Sequence, residues 1–409
     1  MIYDIEFQTK KEQINMVKKV SVLLVGISGY GEIYLNNLLQ NEHVKLSGVV
    51  DINPAKSIYY KSIKGNNIPI FKSIIDFYEE HTCDLAIIAT PIQLHAEQAS
   101  YALKNDSNVL CEKPLSANIK DIQNLTHIKN TQKKFLAVGF NWSFTNSIQQ
   151  LKKDILAKKF GEIKRLKSMV LWPRSKDYYN RSNWAGKMYN KNGDFILDSV
   201  ANNATAHFLH NLFYLTGDSI ETSAKLKSVT PELYRANSIE TFDTCAIRIS
   251  TYNDIIMYFY ASHAVEEEVN PKFEIECEYA VIKYDANKHD SSILVEHKNG
   301  EVEYYQDPES NHLAKLDVCL SAIQNDEQDI LCGPEAVSAH MLCIHAMHES
   351  IEKIPAFPPE MIKFNKDENL IWVDGLANTL LDCYQEWTLP SEGNISWSYK
   401  GDTTKVNIK

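Results

Sequence analysis

Six short apolar runs, separated by segments of helical length, fill the first third of the chain, and this alternation restricts the fold more than any other feature. The runs are "VSVLLVG" (20–26), "VKLSGVVD" (44–51), "IPIF" (68–71), "DLAIIAT" (84–90), "NVLCE" (108–112) and "KFLAVGF" (134–140). Near-continuous Val, Ile and Leu over so few residues suit strands buried on both faces. Strands that alternate with helices imply right-handed crossovers and a parallel sheet covered by helices on both sides. Residues 1–140 are therefore expected to form a doubly wound α/β domain.

The first run breaks into "LLVGISGYGEIYL" (23–35), which nearly spells G-x-G-x-x-G with Ser28 at the second glycine. That pattern counts only when it follows a strand, opens a helix and has an acidic residue about 20 positions on. All three conditions hold, because Asp51 ends the second run 20 residues after Gly31. Gly26 is expected to make the tight turn and Gly31 to let the helix approach the strand. Ser28 is small and can itself donate to a phosphate, and Gly29 beside it keeps the turn adaptable. With Tyr30 these residues would offer the free N–H groups of a helix N-terminus to a pyrophosphate. Asp51 would accept the ribose hydroxyls and repel a 2′-phosphate. NAD is thus favoured over NADP, with Lys56 keeping the second possibility open.

Composition sets outer limits. A chain of 409 residues usually divides into two domains, and 44% apolar with 23% charged residues is ordinary for a globular protein. The net charge of -11, without a long basic run, argues against a nucleic-acid partner. No stretch is long and apolar enough for a bilayer, and the N-terminal "MIYDIEFQTKKEQINMVKK" lacks a signal-peptide core. Eight scattered cysteines without C-x-x-C suit a reducing cytoplasm and form no zinc motif.

The order of the glycine turn, Asp51, "ATP" (89–91) with His95 following, and "EKP" (112–114) resembles the Gfo/Idh/MocA oxidoreductase family, named for glucose–fructose oxidoreductase and inositol dehydrogenase. The resemblance implies a Rossmann domain over 1–140. It also implies a substrate-binding and oligomerisation α+β domain with a large mixed or antiparallel sheet over 141–409. Thr90, Pro91, His95 and Glu112 would then border the cofactor, and Lys113 would be the active-site lysine. Family members pair that lysine with an aspartate and a histidine at a helix start, spaced D-x-x-x-H. The matching stretch, "GDFILDSVANNATAHFLHNLFYLTG" (193–217), aligns Asp198 and His207 with them across an apparent insertion, "VANNA". Asn203, four residues before His207, is the other candidate for the aspartate's place, and His210 stands where the family often has an acid.

Oxidation of a secondary alcohol needs a hydride acceptor and a base for the hydroxyl proton. A free lysine, at about 10.4, is too basic for that task near neutrality unless burial or a nearby positive charge lowers it. Two assignments stay open: Lys113 as base, or His207 as base with Lys113 polarising the oxygen.

In the second domain, 141–172 reads as a loop, an amphipathic helix and a strand, with Gly161 at the turn. "PRSKDYYNRSNWAGKM" (173–188) follows no period and is expected to be a substrate-side loop, with Arg174, Tyr178, Arg181 and Trp184 as contacts. From 223 to 305 the pattern turns to strands, including a hairpin through "TYND", with His263 at a strand end within reach of substrate. That sheet is expected to carry a homodimer or homotetramer interface. His345, His348 and Glu349 share a helical face that helix packing explains better than a metal does. The tail 370–397 reads as helical to Trp387 and packs back on the body. The functional expectation is an NAD(P)-dependent dehydrogenase of a sugar, cyclitol or related polyol. Two alternatives are an NAD-assisted glycoside hydrolase or lyase of the same family, and a non-catalytic dinucleotide sensor.

Overall fold

A computed structural model describes residues 19–406. The reading of the extreme N-terminus therefore falls outside the described residues. All six apolar runs are strands: β1 (Val20–Val25), β2 (Val44–Val50), β3 (Ile70–Phe71), β4 (Leu85–Ile88), β5 (Asn108–Cys111) and β6 (Leu136–Val138). They form one parallel sheet in the order β3-β2-β1-β4-β5-β6. The order reverses beside β1, and in open α/β sheets ligands bind at that crevice. Register makes the crevice chemical. Val25 pairs with Val50 and Ile88, and Ile88 pairs with Cys111. The residues that follow these strand ends (Gly26, Asp51, Ala89 and Glu112) consequently emerge along one edge.

The second sheet has nine strands and is mixed. It comprises β7 (Ile163–Leu171), β8 (Leu226–Tyr234), β9 (Thr244–Thr251), β10 (Ile256–Ser262), β11 (Val269–Cys277), β12 (Ala280–Asp285), β13 (Ile293–His297) and β14 (Val302–Tyr305), with a short strand at 404–405 on its far edge. β9 and β10 form the expected hairpin. One face packs Ile247, Phe259 and Ile275 into the main core, which also takes in helices Ala206–Leu215 and Pro334–Glu349. The opposite face is covered over its central strands by the chain's own C-terminal segment. Leu376, Leu380, Tyr384 and Trp387 pack there on Met169, Tyr258 and Tyr260, forming a separate apolar cluster. The Lys167 ammonium, buried under this cover, donates to Tyr384 O at 2.8 Å.

The sequence reading needs two corrections here. "LIWV" (370–373) is a strand paired with Ile362–Asn365, and the tail helix runs only over Leu376–Glu386. Four apolar or aromatic residues in a row fit either period, and pairing with a neighbour decides between them. The stretch 173–188 contains a five-residue helix, Lys176–Asn180, too short to show a period. Among the described residues, no helix is long and apolar enough to cross a membrane.

Candidate active site

The glycine turn is built around two close approaches. Gly26 has φ +87°, and a Cβ on it would lie 2.7 Å from Ala89 O, so the turn can lie this close to the end of β4 only because no side chain intervenes. A Cβ on Gly31 would lie 2.1 Å from Gly26 O, far inside van der Waals contact for any real side chain. Helix Tyr30–Leu38 can therefore start directly above the turn, and its N-cap is Gly29. Asp51 ties the turn to β2, because its carboxylate accepts from Ile27 N at 3.1 Å and from Asn53 N at 2.7 Å. Each carboxylate oxygen keeps further accepting capacity. A turn where a Cβ has no room, a helix N-terminus above it and an acid at the end of β2 together fit a nicotinamide dinucleotide.

One cleft of about 930 Å³ takes in both this turn and the EKP lysine. Gly26, Ser28, Gly29, Tyr30, Asp51 and Lys56 line it from one part of the first domain. Thr90, Pro91, His95, Glu112 and Lys113 line it from the ends of β4 and β5. Tyr178, Arg181, Trp184 and Asn203 close it from the second domain. Its volume is at the upper end of the range for ligand sites.

Lys113 is held by an asparagine. Its Nζ donates to Asn203 O at 2.6 Å and to Asn203 Oδ1 at 3.2 Å. The amide Nδ2 of Asn203 donates in turn to Asp198 Oδ1 at 2.7 Å, and Asp198 Oδ2 accepts from Gly186 N at 2.6 Å. Asn203 therefore occupies the contact position beside Lys113, with Asp198 buried one layer behind it as its anchor. Burial lowers the Lys113 ammonium to about 8, against the pull of Glu112. Burial also raises the Asp198 carboxyl above its usual range, while the Gly186 N–H and Arg181 draw it back.

His207 lies on helix Ala206–Leu215, edge-on to Phe140, with its Nδ1 buried and unpartnered. Burial first, then the Lys113 charge, hold its pKa well below the usual histidine range. It is therefore a neutral imidazole at physiological pH. His210 stacks on Phe140 with centroids 4.0 Å apart and meets Ser143 Oγ at 3.0 Å, so it is a core residue.

Arg181 lies 3.7 Å from the Tyr178 ring centre, 4.9 Å from that of Trp184 and 3.9 Å from Asp198 Oδ2. The structure does not bring Arg174 to the cleft wall. Its guanidinium donates to Pro173 O and lies beside Trp172 and Tyr178, because the strand end turns it away. Gly31 is likewise buried beneath the turn rather than on the cleft surface. His95 is at the wall, but its two nitrogens face Thr90 O and Pro114 O, at 2.7 and 2.8 Å, and so brace two loops. His263 Nδ1 meets Trp172 O at 2.8 Å and its ring lies beside Tyr178. His345 Nε2 meets Ala117 O at 2.7 Å, and His348 packs on Phe242.

One residue escaped the sequence reading. Lys315, on helix Ala314–Gln324, is fully buried and pairs with the Glu112 carboxylate, which also accepts from Tyr34 Oη at 2.6 Å. The signal was present in "LAKLDVCL" (313–320): a lysine at the buried spacing between Ala314, Leu316 and Cys319.

A glycine turn under a helix N-terminus, opening into a cleft that ends at a lysine of lowered basicity, has the layout of a Rossmann dinucleotide site. The sequence model of the oxidoreductase family with NAD-binding Rossmann fold, Gfo/Idh/MocA, matches residues 20–140. The family likeness thus covers the first domain, about three tenths of the chain. It is similar to the rhizopine catabolism protein MocA of Rhizobium meliloti, 24% identical over 140 residues, covering 34% of this chain and 43% of that one. It is also similar to myo-inositol 2-dehydrogenase of Thermotoga maritima, 23% identical over 222 residues, covering 53% of this chain and 62% of the relative. The matched stretches thus span less than two thirds of these relatives. Among solved structures, the WlbA dehydrogenase of Bordetella pertussis, in complex with NADH and UDP-GlcNAcA, superposes with a TM-score of 0.66 at 19% identity. That likeness covers 81% of this chain and 96% of the other, and it is one of fold.

Proposed function

We propose that the protein is an NAD(P)-dependent dehydrogenase or reductase acting on a secondary alcohol or carbonyl of a sugar, cyclitol or related polyol. The observation that carries this reading is the single cleft joining the Gly26–Gly31 turn to Lys113. Gly26, Ser28, Gly29 and the start of the following helix would hold the pyrophosphate, and Asp51 the ribose. A bound nicotinamide would supply the hydride acceptor or donor. Lys113 Nζ is the proton-transferring atom, since a group near 8 can be found in either protonation state at physiological pH. Asn203 aims that nitrogen and Asp198 fixes Asn203; His207 is not among the residues that line the cleft, and its part in the proposal is that of a neutral imidazole rather than the base. Arg181 and Trp184 offer a cation and a flat apolar face, which suit a hydroxylated ring. The eight buried free cysteines fit the reading of a cytoplasmic protein. Assembly of two or four copies through the second sheet, which stays part of the proposal, would use β12–β14, because the tail already occupies the central strands.

A screen of sugars, inositols and their acids, followed by NADH absorbance, tests the reading. Steady formation of NADH with one of them supports it. Substrate cleavage or elimination with no net NADH would replace it by the NAD-assisted lyase reading, and dinucleotide binding without any turnover would leave the sensor.

The NAD preference has its own test. Asp51 stands against a 2′-phosphate while Lys56 lines the same cleft. NAD(H) should bind more tightly than NADP(H), and Asp51→Ala should shift the ratio toward NADP(H) by roughly tenfold, about 1.4 kcal/mol. Calorimetric titration reads both; an unchanged ratio in the variant would remove Asp51 as the selector.

A further inference from the structure

Lys315 is a buried cation that joins separate parts of the site. Besides its ion pair with Glu112, its Nζ donates to Tyr30 Oη and to Gly139 O, each at 3.3 Å. Tyr30 opens the helix above the glycine turn, Glu112 precedes the active-site lysine, and Gly139 follows β6. Lys113 is next to Glu112 in sequence, yet among the described residues its Nζ forms no ion pair and is bonded to Asn203 instead. A buried carboxylate left without a cation is costly and would draw in the nearest ammonium.

We propose that Lys315 is a positioning residue for Lys113: by neutralising Glu112, it prevents that carboxylate from capturing the Lys113 ammonium and leaves Lys113 Nζ on Asn203, facing the cleft and free to exchange its proton. The relevance to turnover rests on the reading of Lys113 as the proton-transferring group, whereas the effect on its titration does not.

The charges around Lys113 are few. Glu112 and Asp198 favour its charged form, while Lys315 and Arg181 oppose it. His207 and His340 on neighbouring helices, and His95 on the helix after β4, are held neutral, each with its pKa lowered by burial and by the Lys113 charge. Removing Lys315 therefore deletes an opposing charge and also releases Glu112, and both changes push Lys113 toward its charged form. Removing the Glu112 charge acts in the opposite direction.

Competitive labelling with acetic anhydride across pH, read by mass spectrometry on the Lys113 peptide, gives its titration without any substrate. Lys315→Met should move the midpoint up by about one unit, a tenfold loss of free amine at a given pH. Lys315→Arg should stay near the wild-type midpoint, and Glu112→Gln should move it down. An unmoved midpoint in Lys315→Met, or an upward or absent shift in Glu112→Gln, would overturn the proposal. If Lys315→Met gives no folded protein by circular dichroism, the direction of the Glu112→Gln shift decides. Once a substrate is known, the pH profile of turnover should move with the labelling midpoint. A midpoint that moves without the profile would sink Lys113 as the base while leaving the electrostatic coupling intact.

Discussion

Lys113→Ala should retain dinucleotide binding and lose at least ~10²-fold in turnover, the loss typical of removing an acid–base group. Binding should persist because the turn at Gly26 and the Asp51 carboxylate are built without the lysine. The pH profile of the wild type sharpens this expectation. A base must be uncharged to act, so oxidation should rise with pH through a single step near 8, the value to which burial lowers Lys113. His207 cannot supply that step, since its pKa is held well below the histidine range. His207→Asn should therefore lower the rate yet keep the step. A step near 6.5 that vanishes in His207→Asn would return the role of base to the histidine. Near-normal turnover in Lys113→Ala, measured with an identified substrate, would remove the lysine from the chemistry altogether.

Gly31→Ala should abolish measurable dinucleotide binding and destabilise the fold. The added Cβ would sit 2.1 Å from Gly26 O and 2.9 Å from Gly26 C, both backbone atoms that no rotamer change can move. Either the helix start lifts or the turn opens, and each disrupts the row of N–H groups meant for the pyrophosphate. Overpacking of this kind costs about 1–3 kcal/mol, enough to lower the melting temperature by several degrees in a chain of this size. Gly65→Ala is the control, because no atom lies within 4 Å of its Cβ and the position is helical. Calorimetry with NAD and thermal melts of both variants would separate a defect in the turn from a general glycine effect. Gly31→Ala protein that binds NAD like the wild type would contradict the close-packed turn.

The first domain was legible because its signals are local. An apolar run of strand length, a glycine where the backbone must turn and an acid after the next strand each act within one βαβ unit. A parallel sheet then brings them together by register alone, as Val25, Val50, Ile88 and Cys111 demonstrate. The place of "EKP" beside the crevice could be read for the same reason, since it follows a strand whose carboxyl end borders that crevice, but the role of Lys113 came from the family resemblance.

The second half of the site depended on contacts between distant segments. The resemblance put Asp198 in the aspartate's place across an insertion and left Asn203, four residues before His207, as the alternative. Only the folded loop shows that Asn203 touches Lys113 while Asp198 holds Asn203 from behind. Arg174 and Arg181 looked alike in one polar stretch, yet the end of β7 turns the first away and two aromatic rings hold the second at the cleft. The pKa values of Lys113 and His207 follow from burial, which no residue carries by itself. Lys315, 202 positions after Lys113 in the chain, becomes part of the site only because helix Ala314–Gln324 packs against the ends of the first sheet. Sequence by itself determined the sheet, the glycine turn and the place of the lysine beside the crevice, since strand pattern and turn chemistry act over a few residues. Tertiary structure decided which side chain holds that lysine, which histidine stays neutral and which buried charge balances Glu112, because desolvation and charge pairing depend on neighbours that only the complete fold assembles.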